Sequence, residues 1–235
     1  MRGTGGFEPL GVGRTIVLAP SSHATSDTIP LEDGECVLTF DDGPSVPGTE
    51  EVLDALWMEQ VKATFFVVGY RAKKVPHLVR RAFHEGHIIG THTNIHRILS
   101  DLPISEQVCE VEQGFSSTAS VLPNGGVAPY FRFPFLRDTP ELRTYLLKSG
   151  IMIWEADFAA NDWRGLSVDD VVERAMAGLQ RHRRGTLLLH DVQPVTALAL
   201  PKLLREMKRC DFRIVHVVPA PVVNIAEAIK NLMGN

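Results

Sequence analysis

The feature that most constrains the fold is a repeated alternation of short apolar runs with longer segments whose apolar residues recur at helical spacing. The short runs are rich in Val, Ile, Leu and Phe, which is typical of strands covered on both faces of a sheet. The seven predicted strands are residues 36–40, 63–68, 87–90, 130–133, 151–155, 186–189 and 213–218. The six predicted helices are residues 50–60, 75–85, 105–122, 140–148, 168–182 and 197–209. This alternation predicts an α/β fold with parallel strands, in which the chemistry lies at the carboxyl ends of the strands.

The N-terminal segment differs from the rest of the chain. It begins Gly-rich, and residues 21–33 are polar. We therefore expect a partly irregular N-terminal extension over residues 1–34, in which the apolar run 15–18 can add an edge strand. With 235 residues, 44% of them hydrophobic, the chain is long enough for one domain with a buried core, which we place at residues 35–235.

Charge and composition exclude several classes of partner. Twenty-four Lys and Arg against 28 Asp and Glu give a net charge of -4, so nothing favours binding to nucleic acid or to anionic lipid. No stretch approaches the roughly 20 apolar residues of a transmembrane helix, and no signal peptide is visible. Cytoplasm and secretion after removal of a leader both stay open, as does the oligomeric state. The three cysteines, Cys36, Cys109 and Cys210, are predicted to be unpaired apolar fillers.

The strongest local signal lies at the end of the first predicted strand of the domain. Residues 39–44 read Thr-Phe-Asp-Asp-Gly-Pro, so an apolar run stops on the adjacent carboxylates of Asp41 and Asp42. Two neighbouring acids at a buried strand end are unfavourable unless a cation or a base compensates their charge. An Asp pair that merely forms a turn or caps a helix is the simpler alternative, and the hexapeptide alone does not decide between them.

A second signal follows the predicted strand 87–90. His92 and His96 are four positions apart, and on a helical turn such imidazoles project from one face and can share a metal ion. Two surface histidines are the alternative. A carboxylate from another strand end would complete a site of two histidines and one carboxylate with open positions for water.

These two motifs, the Asp pair followed by the two histidines, resemble the first two motifs of the polysaccharide deacetylase family, which contains chito-oligosaccharide, chitin and peptidoglycan deacetylases. The resemblance covers residues 35–220, and it implies that residues 35–235 form the family's catalytic domain, the NodB homology domain. It also implies that Asp41 is the catalytic base and that Asp42, His92 and His96 are the metal ligands. Residues 63–69 are similar to the family's second strand.

The third motif of the family, Arg-x-Pro-Tyr/Phe, is similar to residues 132–135, which read Arg-Phe-Pro-Phe. The resemblance implies that Arg132 tethers the catalytic base and that the backbone N–H of Phe135 helps to hold the oxyanion. Without the other motifs, a surface arginine beside an edge-strand proline would be the simpler interpretation.

The fourth motif, Asp-x-x-Asp-Trp, is matched with a departure. Asp157 and Asp162 are five positions apart, although Asp162 is still followed by Trp163. The resemblance assigns to Asp162 the orientation of the catalytic histidine and to Trp163 a wall of the substrate groove. The altered spacing leaves it open whether Asp157 is functional or structural.

The fifth motif, Leu-x-His after a strand, is matched by Leu188 and His190. The resemblance implies that His190 is the general acid and that Leu188 lines the pocket for the acetyl methyl group. A core histidine at the end of an aliphatic strand would be the alternative for an isolated match.

Taken together, the resemblance implies a distorted (β/α) barrel with about seven parallel strands. It implies hydrolysis of the N-acetyl group of an amino sugar in a glycan, with a divalent metal for which Zn²⁺ is the first choice and Co²⁺ or Ni²⁺ are alternatives. An amide hydrolase of the same fold acting on a small molecule is one rival. A catalytically inactive, carbohydrate-binding relative is another, and its mark would be the loss of a ligand or of the base.

Overall fold

The structure is a computed structural model that describes residues 9–19, 23–25 and 27–220. Within these ranges the ten strands are β1 (Val12–Leu18), β2 (His23–Ala24), β3 (Glu35–Asp41), β4 (Thr64–Val67), β5 (Ile88–Thr91), β6 (Tyr130–Phe131), β7 (Met152–Trp154), β8 (Phe158–Ala159), β9 (Gly185–His190) and β10 (Arg213–Pro219). The seven α-helices are α1 (Gly48–Met58), α2 (Gly69–Lys74), α3 (Pro76–His84), α4 (Ile104–Ala119), α5 (Pro140–Lys148), α6 (Val168–His182) and α7 (Pro194–Arg209).

All the strands join one sheet, and every pairing between them is parallel. Strand β3 is central, because it pairs with β4, β9 and β10, and all seven of its residues are buried. From β3 onwards, helices separate successive strands except β7 and β8, as is usual for parallel pairing. The predicted α/β barrel architecture is confirmed, and each of the seven predicted strands is present with bounds shifted by one or two residues.

The N-terminal segment contributes to the same sheet. Strand β1, which contains the predicted run 15–18, pairs with β10, and β2 pairs with β7. Residues 1–8 lie outside the described part of the chain. The division of the chain at residues 34 and 35 stays a prediction.

Three helices differ from the sequence prediction. Helix α4 ends at Ala119, three residues before the predicted end, because Pro123 disfavours a helical backbone in the preceding Leu122, which is extended. Helix α2 was not predicted, because its six residues are too few to show a helical repeat. Helix α7 begins at Pro194, three residues before the predicted start. Proline is suited to the first turn of a helix, because N–H groups there have no acceptor within the helix and the missing N–H of proline therefore costs no hydrogen bond. Helix α6 begins as predicted after Ser167, whose hydroxyl caps the N–H of Asp170.

The strands carry two apolar layers. Residues such as Leu38 and Phe40 of β3 pack among the helices, in the larger core cluster. The alternating position Val37 belongs to a second cluster formed mainly by strand residues, including Phe66 and Trp154, which fills the barrel interior. By the same alternation, the last residue of β3, Asp41, points into the upper end of the barrel.

The cysteine prediction was wrong for one residue. Cys36 is fully buried, and burial raises the pKa of its thiol to about 12. Cys210 is half-buried and packs against the core, whereas Cys109 is exposed, because it lies on the solvent face of α4. Across the described ranges, no helix is both long enough and apolar enough to cross a membrane.

Candidate active site

Asp41 is held by a buried arginine. Nη1 of Arg132 donates to Oδ1 of Asp41 at 2.7 Å and to the hydroxyl of Thr39 at 2.8 Å. The guanidinium also donates to the carbonyl oxygens of Trp154 at 3.3 Å and Glu155 at 3.0 Å. Both charged side chains are buried, and their pairing, with the added hydrogen bonds, compensates charges that would otherwise be costly here. The structure therefore brings together the two residues that the first and third motifs predict to be partners.

The predicted metal ligands converge on one point. Donor atoms of Asp42, His92 and His96 all lie within 4.8 Å of one another. Oδ1 of Asp42 is 3.0 Å from Nε2 of His96 and 3.5 Å from Nε2 of His92, yet this buried oxygen has no well-directed hydrogen bond among the described residues. An orphaned carboxylate oxygen facing two imidazole nitrogens fits a shared divalent cation.

The environment sets the protonation of these ligands. Nδ1 of His92 donates to the carbonyl oxygen of Arg132 at 2.7 Å, which leaves the lone pair of Nε2 directed at Asp42. Burial lowers the pKa of His92 and thus favours the neutral, metal-binding imidazole, although the charges of Asp41 and Asp42 oppose it. Burial alone would raise the pKa of Asp42, but the imidazoles of His96, His92 and His190 outweigh it and hold that pKa below its ordinary value.

The local backbone of the two histidines differs from the prediction. His92 and His96 do not lie on a helical turn, since the segment between them is irregular and both Thr93 and His96 have a positive φ, 66° and 61°. The rings still come within 4.9 Å of each other, centroid to centroid. The expected juxtaposition is thus reached through a loop, which needs support from outside.

Helix α4 supplies that support. The carboxylate of Glu110 accepts from the backbone N–H groups of Asn94 at 3.2 Å and Ile95 at 3.0 Å, between the two histidines. Gly114, one turn further on, lies so close to the loop that an added Cβ would be 2.7 Å from the carbonyl carbon of Thr93. The helix thus fixes the loop by paired hydrogen bonds and by direct backbone contact.

We expect Gly114→Ala to weaken metal binding. In a free helix this change would be stabilising by roughly 0.5–1 kcal/mol, whereas here the new methyl group displaces the Thr93 backbone. Affinity for zinc should fall by about 10- to 100-fold, the usual effect of disturbing the support of a metal ligand. Zinc titration of the metal-free protein measures it. Ser116→Ala, at an exposed position of the same helix, is the control and should leave the affinity unchanged; equal affinities in the two variants would contradict the role of the contact.

His190 and Asp162 form the second charged pair. Oδ1 of Asp162 is 2.8 Å from Nδ1 of His190, and Oδ2 accepts from the backbone N–H of His190 at 2.7 Å and from the hydroxyl of Thr196. Burial by itself lowers the pKa of His190, but the hydrogen bond and charge of Asp162, with the charges of Asp41 and Asp42, raise it to about 9. The ring of Trp163 lies edge-on to His190, with centroids 5.0 Å apart.

The spacing of the fourth motif has a structural cause. Strand β8 lies between Asp157 and Asp162 and runs parallel to β9. Asp157 therefore lies at the start of β9, where its Oδ2 accepts from the N–H of Thr186 at 2.7 Å, while Asp162 lies at the end, beside His190. Asp157 thus lies at the opposite end of β9 from the site and bonds the backbone there.

Eight of the ten predicted residues line one cavity of about 570 Å³, whereas Arg132 and Asp162 are not in its lining and reach it through their partners Asp41 and His190. Trp163 and Phe135 lie at its rim, 44% and 57% exposed, and Leu188 lies in its wall. The complete lining is Asp41, Asp42, His92, His96, Phe133, Phe135, Leu136, Arg137, Trp163, Arg164, Leu188 and His190. The sequence did not identify Phe133, Leu136, Arg137 and Arg164 as site residues, although each lies within a recognised motif or close to one.

Asp191 was also missed, although it follows His190 directly. Its carboxyl is buried and accepts from the hydroxyl of Thr49, and an added Cβ at Gly43 would overlap it. Burial, with a smaller contribution from the charge of Asp42, raises the pKa of Asp191 to about 7 despite the hydrogen bond from Thr49. Asp191 thus packs under the turn that follows Asp42.

Comparison with known proteins agrees with this geometry. A protein family described as polysaccharide deacetylase matches residues 29–154. A chitooligosaccharide deacetylase of Bradyrhizobium is 35% identical over 199 residues, which cover 77% of this chain and 88% of the relative. A peptidoglycan-N-acetylglucosamine deacetylase of Bacillus cereus is 31% identical over 195 residues, 79% of this chain and 68% of the relative.

The fold is shared with a solved peptidoglycan deacetylase of Bdellovibrio bacteriovorus, at a TM-score of 0.84 and 28% identity. The likeness covers 95% of this chain and 63% of that one, so the chain spans less than two thirds of that protein. The family match extends over more than half of the 235 residues, and the barrel and its strand-end motifs agree with it. The chain therefore belongs to the polysaccharide deacetylase family.

Proposed function

We propose that this chain hydrolyses the N-acetyl group of an acetylated amino sugar within a polysaccharide and releases acetate. The observation that carries the proposal is that three groups border one cavity: the Asp42, His92 and His96 cluster, the Asp41–Arg132 pair and the His190–Asp162 pair. An acetamide is a poor electrophile with a poor leaving group. Its hydrolysis needs an activated water molecule, a stabilised oxyanion and a proton for the amine, and the cavity contains a candidate for each.

Asp42, His92 and His96 would hold the divalent cation. Bound there, it would supply Lewis-acid polarisation of the carbonyl and of a water molecule. Two imidazoles and a carboxylate suit zinc, which we propose as the native ion, and the same donors accept cobalt or nickel. The neutral His92, with its Nδ1 proton committed to a carbonyl oxygen, presents the lone pair that any of these ions requires.

The two charged pairs would move the protons. Asp41, fixed by Arg132, accepts the proton of the attacking water. His190 uses Nδ1 for Asp162, which leaves Nε2 to donate a proton to the departing sugar nitrogen. With a pKa of about 9, His190 is protonated at neutral pH, as this role demands. The backbone N–H of Phe135 is the proposed donor to the oxyanion.

The rim favours a polymer over a small amide. Phe135 and Trp163 leave large apolar faces exposed beside the charged groups, which suits stacking against a sugar ring in an extended chain. A small-molecule amidase would be expected to enclose its substrate instead. A catalytically inactive relative would be expected to lack a ligand or the base. Here the proposed base, the proposed acid and all three proposed ligands line one cavity, which does not support that alternative.

Acetate release from chito-oligosaccharides and from peptidoglycan, measured side by side, tests the proposal. A chelator should abolish release from both, and added zinc should restore it. His96→Ala should lose the bound metal and the activity, whereas His77→Ala, at an exposed position on α3, should keep both. Full activity in a preparation shown by elemental analysis to be metal-free would refute the metal's role, and faster hydrolysis of small acetamides than of either polymer would favour the rival.

A further inference from the structure

Two arginines in the wall of the active-site cavity have no role in the hydrolysis just described. Arg137 follows the turn Pro134–Leu136 that carries Phe135, and Arg164 ends the turn Asp162–Arg164 that carries Trp163. Both line the same cavity as Asp42 and His190. The two guanidinium groups thus come from separate turns of the rim, each beside a proposed sugar-binding aromatic residue.

Neither guanidinium is neutralised by the protein. Among the described residues, neither makes a hydrogen bond or an ion pair with another side chain. Asp138, the acid next to Arg137 in the sequence, is bound to Arg143. The other charges of the cavity have partners, since Arg132 compensates Asp41 and Asp162 compensates His190. The carboxylate of Asp42 faces the cation site. Two positive charges are therefore left over, in a chain whose net charge is -4.

We propose that Arg137 and Arg164 bind a carboxylate of the substrate, so that the preferred substrate is an acidic N-acetylated glycan. The inference rests on the proposed function and names the substrate class of the same site. A guanidinium matches a carboxylate in a bidentate geometry that a neutral sugar hydroxyl cannot reproduce. The carboxylate can belong to the sugar, as in an ether-linked lactate, or to a peptide attached to it.

The central comparison is between two substrates that differ only in charge. The probes are peptide-free peptidoglycan glycan strands, the same strands with their lactate carboxylates converted to amides, intact peptidoglycan, and neutral chitotetraose. The zinc-loaded wild-type protein should show a kcat/KM for acetate release about tenfold or more higher on the carboxylate form than on the amide form, as expected for a charge-assisted hydrogen bond. This preference should shrink as ionic strength rises, because exposed charges are screened.

Variants of Arg137 and Arg164 test whether these two residues cause the preference for the carboxylate form. Arg137→Gln and Arg164→Gln should each lower kcat/KM on the carboxylate form about tenfold more than on the amide form or on chitotetraose, because the neutral substrates offer the guanidinium no carboxylate. Arg174→Gln, at an exposed position of α6, is the matched control and should change neither.

The outcomes separate this inference from the proposed function. A preference seen on peptide-free strands places the carboxylate on the sugar, and one seen only on intact peptidoglycan places it on the peptide; both support the proposal. Equal losses on charged and neutral substrates, or a wild-type rate that is independent of both substrate charge and salt, would overturn it while leaving deacetylation intact. No acetate from any probe would instead refute the proposed function, and this inference with it.

Discussion

Replacing Asp41 with Asn should lower acetate release by about 10² to 10⁴, the usual contribution of a general base, and leave the bound metal in place. Replacing Asp42 with Asn should remove the metal and, with it, the activity. The two acids are neighbours in sequence, but Asp41 is hydrogen-bonded to Arg132 inside the barrel, whereas Asp42, with a φ of 75°, turns towards His92 and His96. Metal content by elemental analysis and turnover with saturating zinc measure the two effects separately.

Asp169→Asn, in the exposed first turn of α6, is the control for loss of a carboxylate elsewhere. It should change neither metal content nor turnover. If Asp41→Asn and Asp42→Asn lost metal equally, and regained equal activity at saturating zinc, the division of labour between the two acids would be wrong. The result would then favour a site in which both carboxylates bind the ion.

Replacing His190 with Ala should lower turnover by about 10² to 10⁴ without changing the metal content. His190 donates its proton to the leaving amine in the proposed mechanism, and it does not belong to the described cluster of Asp42, His92 and His96 that would hold the ion. Near-normal turnover in His190→Ala would show that the proton comes from another group.

The pH profile gives an independent test of the same residue. The pKa of His190 is raised to about 9, above the ordinary histidine value, so the acid form is present at neutral pH and is lost as the pH rises through about 9. Activity should therefore have an alkaline limb. Asp162→Asn removes the charge that raises this pKa, while burial continues to lower it, so the limb should move to lower pH. A limb at the same pH in wild type and Asp162→Asn would contradict the assignment.

Much of the fold could be predicted because the barrel strands are buried on both faces. Residues 36–40 of strand β3 are apolar except for Thr39, and the other six predicted strands are also mainly apolar. The short elements could not be predicted this way. Strands β2 and β8 have two residues each and helix α2 has six, too few for any period to show, so only their pairing with distant strands or packing defines them.

The candidate site was predictable where a motif follows a strand. In parallel α/β folds the carboxyl ends of strands meet at one edge, so residues after β3, β5, β6 and β9 were bound to lie near one another. The backbone between His92 and His96 was mispredicted, because a spacing of four positions fits a helical turn equally well. What decides the loop is Glu110 and Gly114 on α4, contacts that are remote in sequence.

The unpaired arginines show a different limit. In the sequence, Arg137 and Arg164 look like any exposed basic residue, and nothing in their neighbours says which arginines find a carboxylate. The acid next to Arg137 is Asp138, and Arg143 of α5 binds it in the folded chain. Which arginines have no carboxylate partner can therefore be read only from the folded structure.

The hydrogen bonds of Arg132 bear on how such a site can diversify in evolution. Its side chain connects Thr39 and Asp41 at the end of β3 with two carbonyl oxygens at the end of β7. Its backbone carbonyl oxygen accepts a hydrogen bond from His92, which follows β5. The connection between these strand ends and the placement of Asp41 and His92 therefore depend on one residue, so a change at Arg132 would disturb both. In the turns Pro134–Leu136 and Asp162–Arg164, by contrast, the side chains of Leu136 and Arg164 have no part in the proposed hydrolysis. New substrate preferences are therefore free to arise at the rim, while the chemistry beneath stays constant.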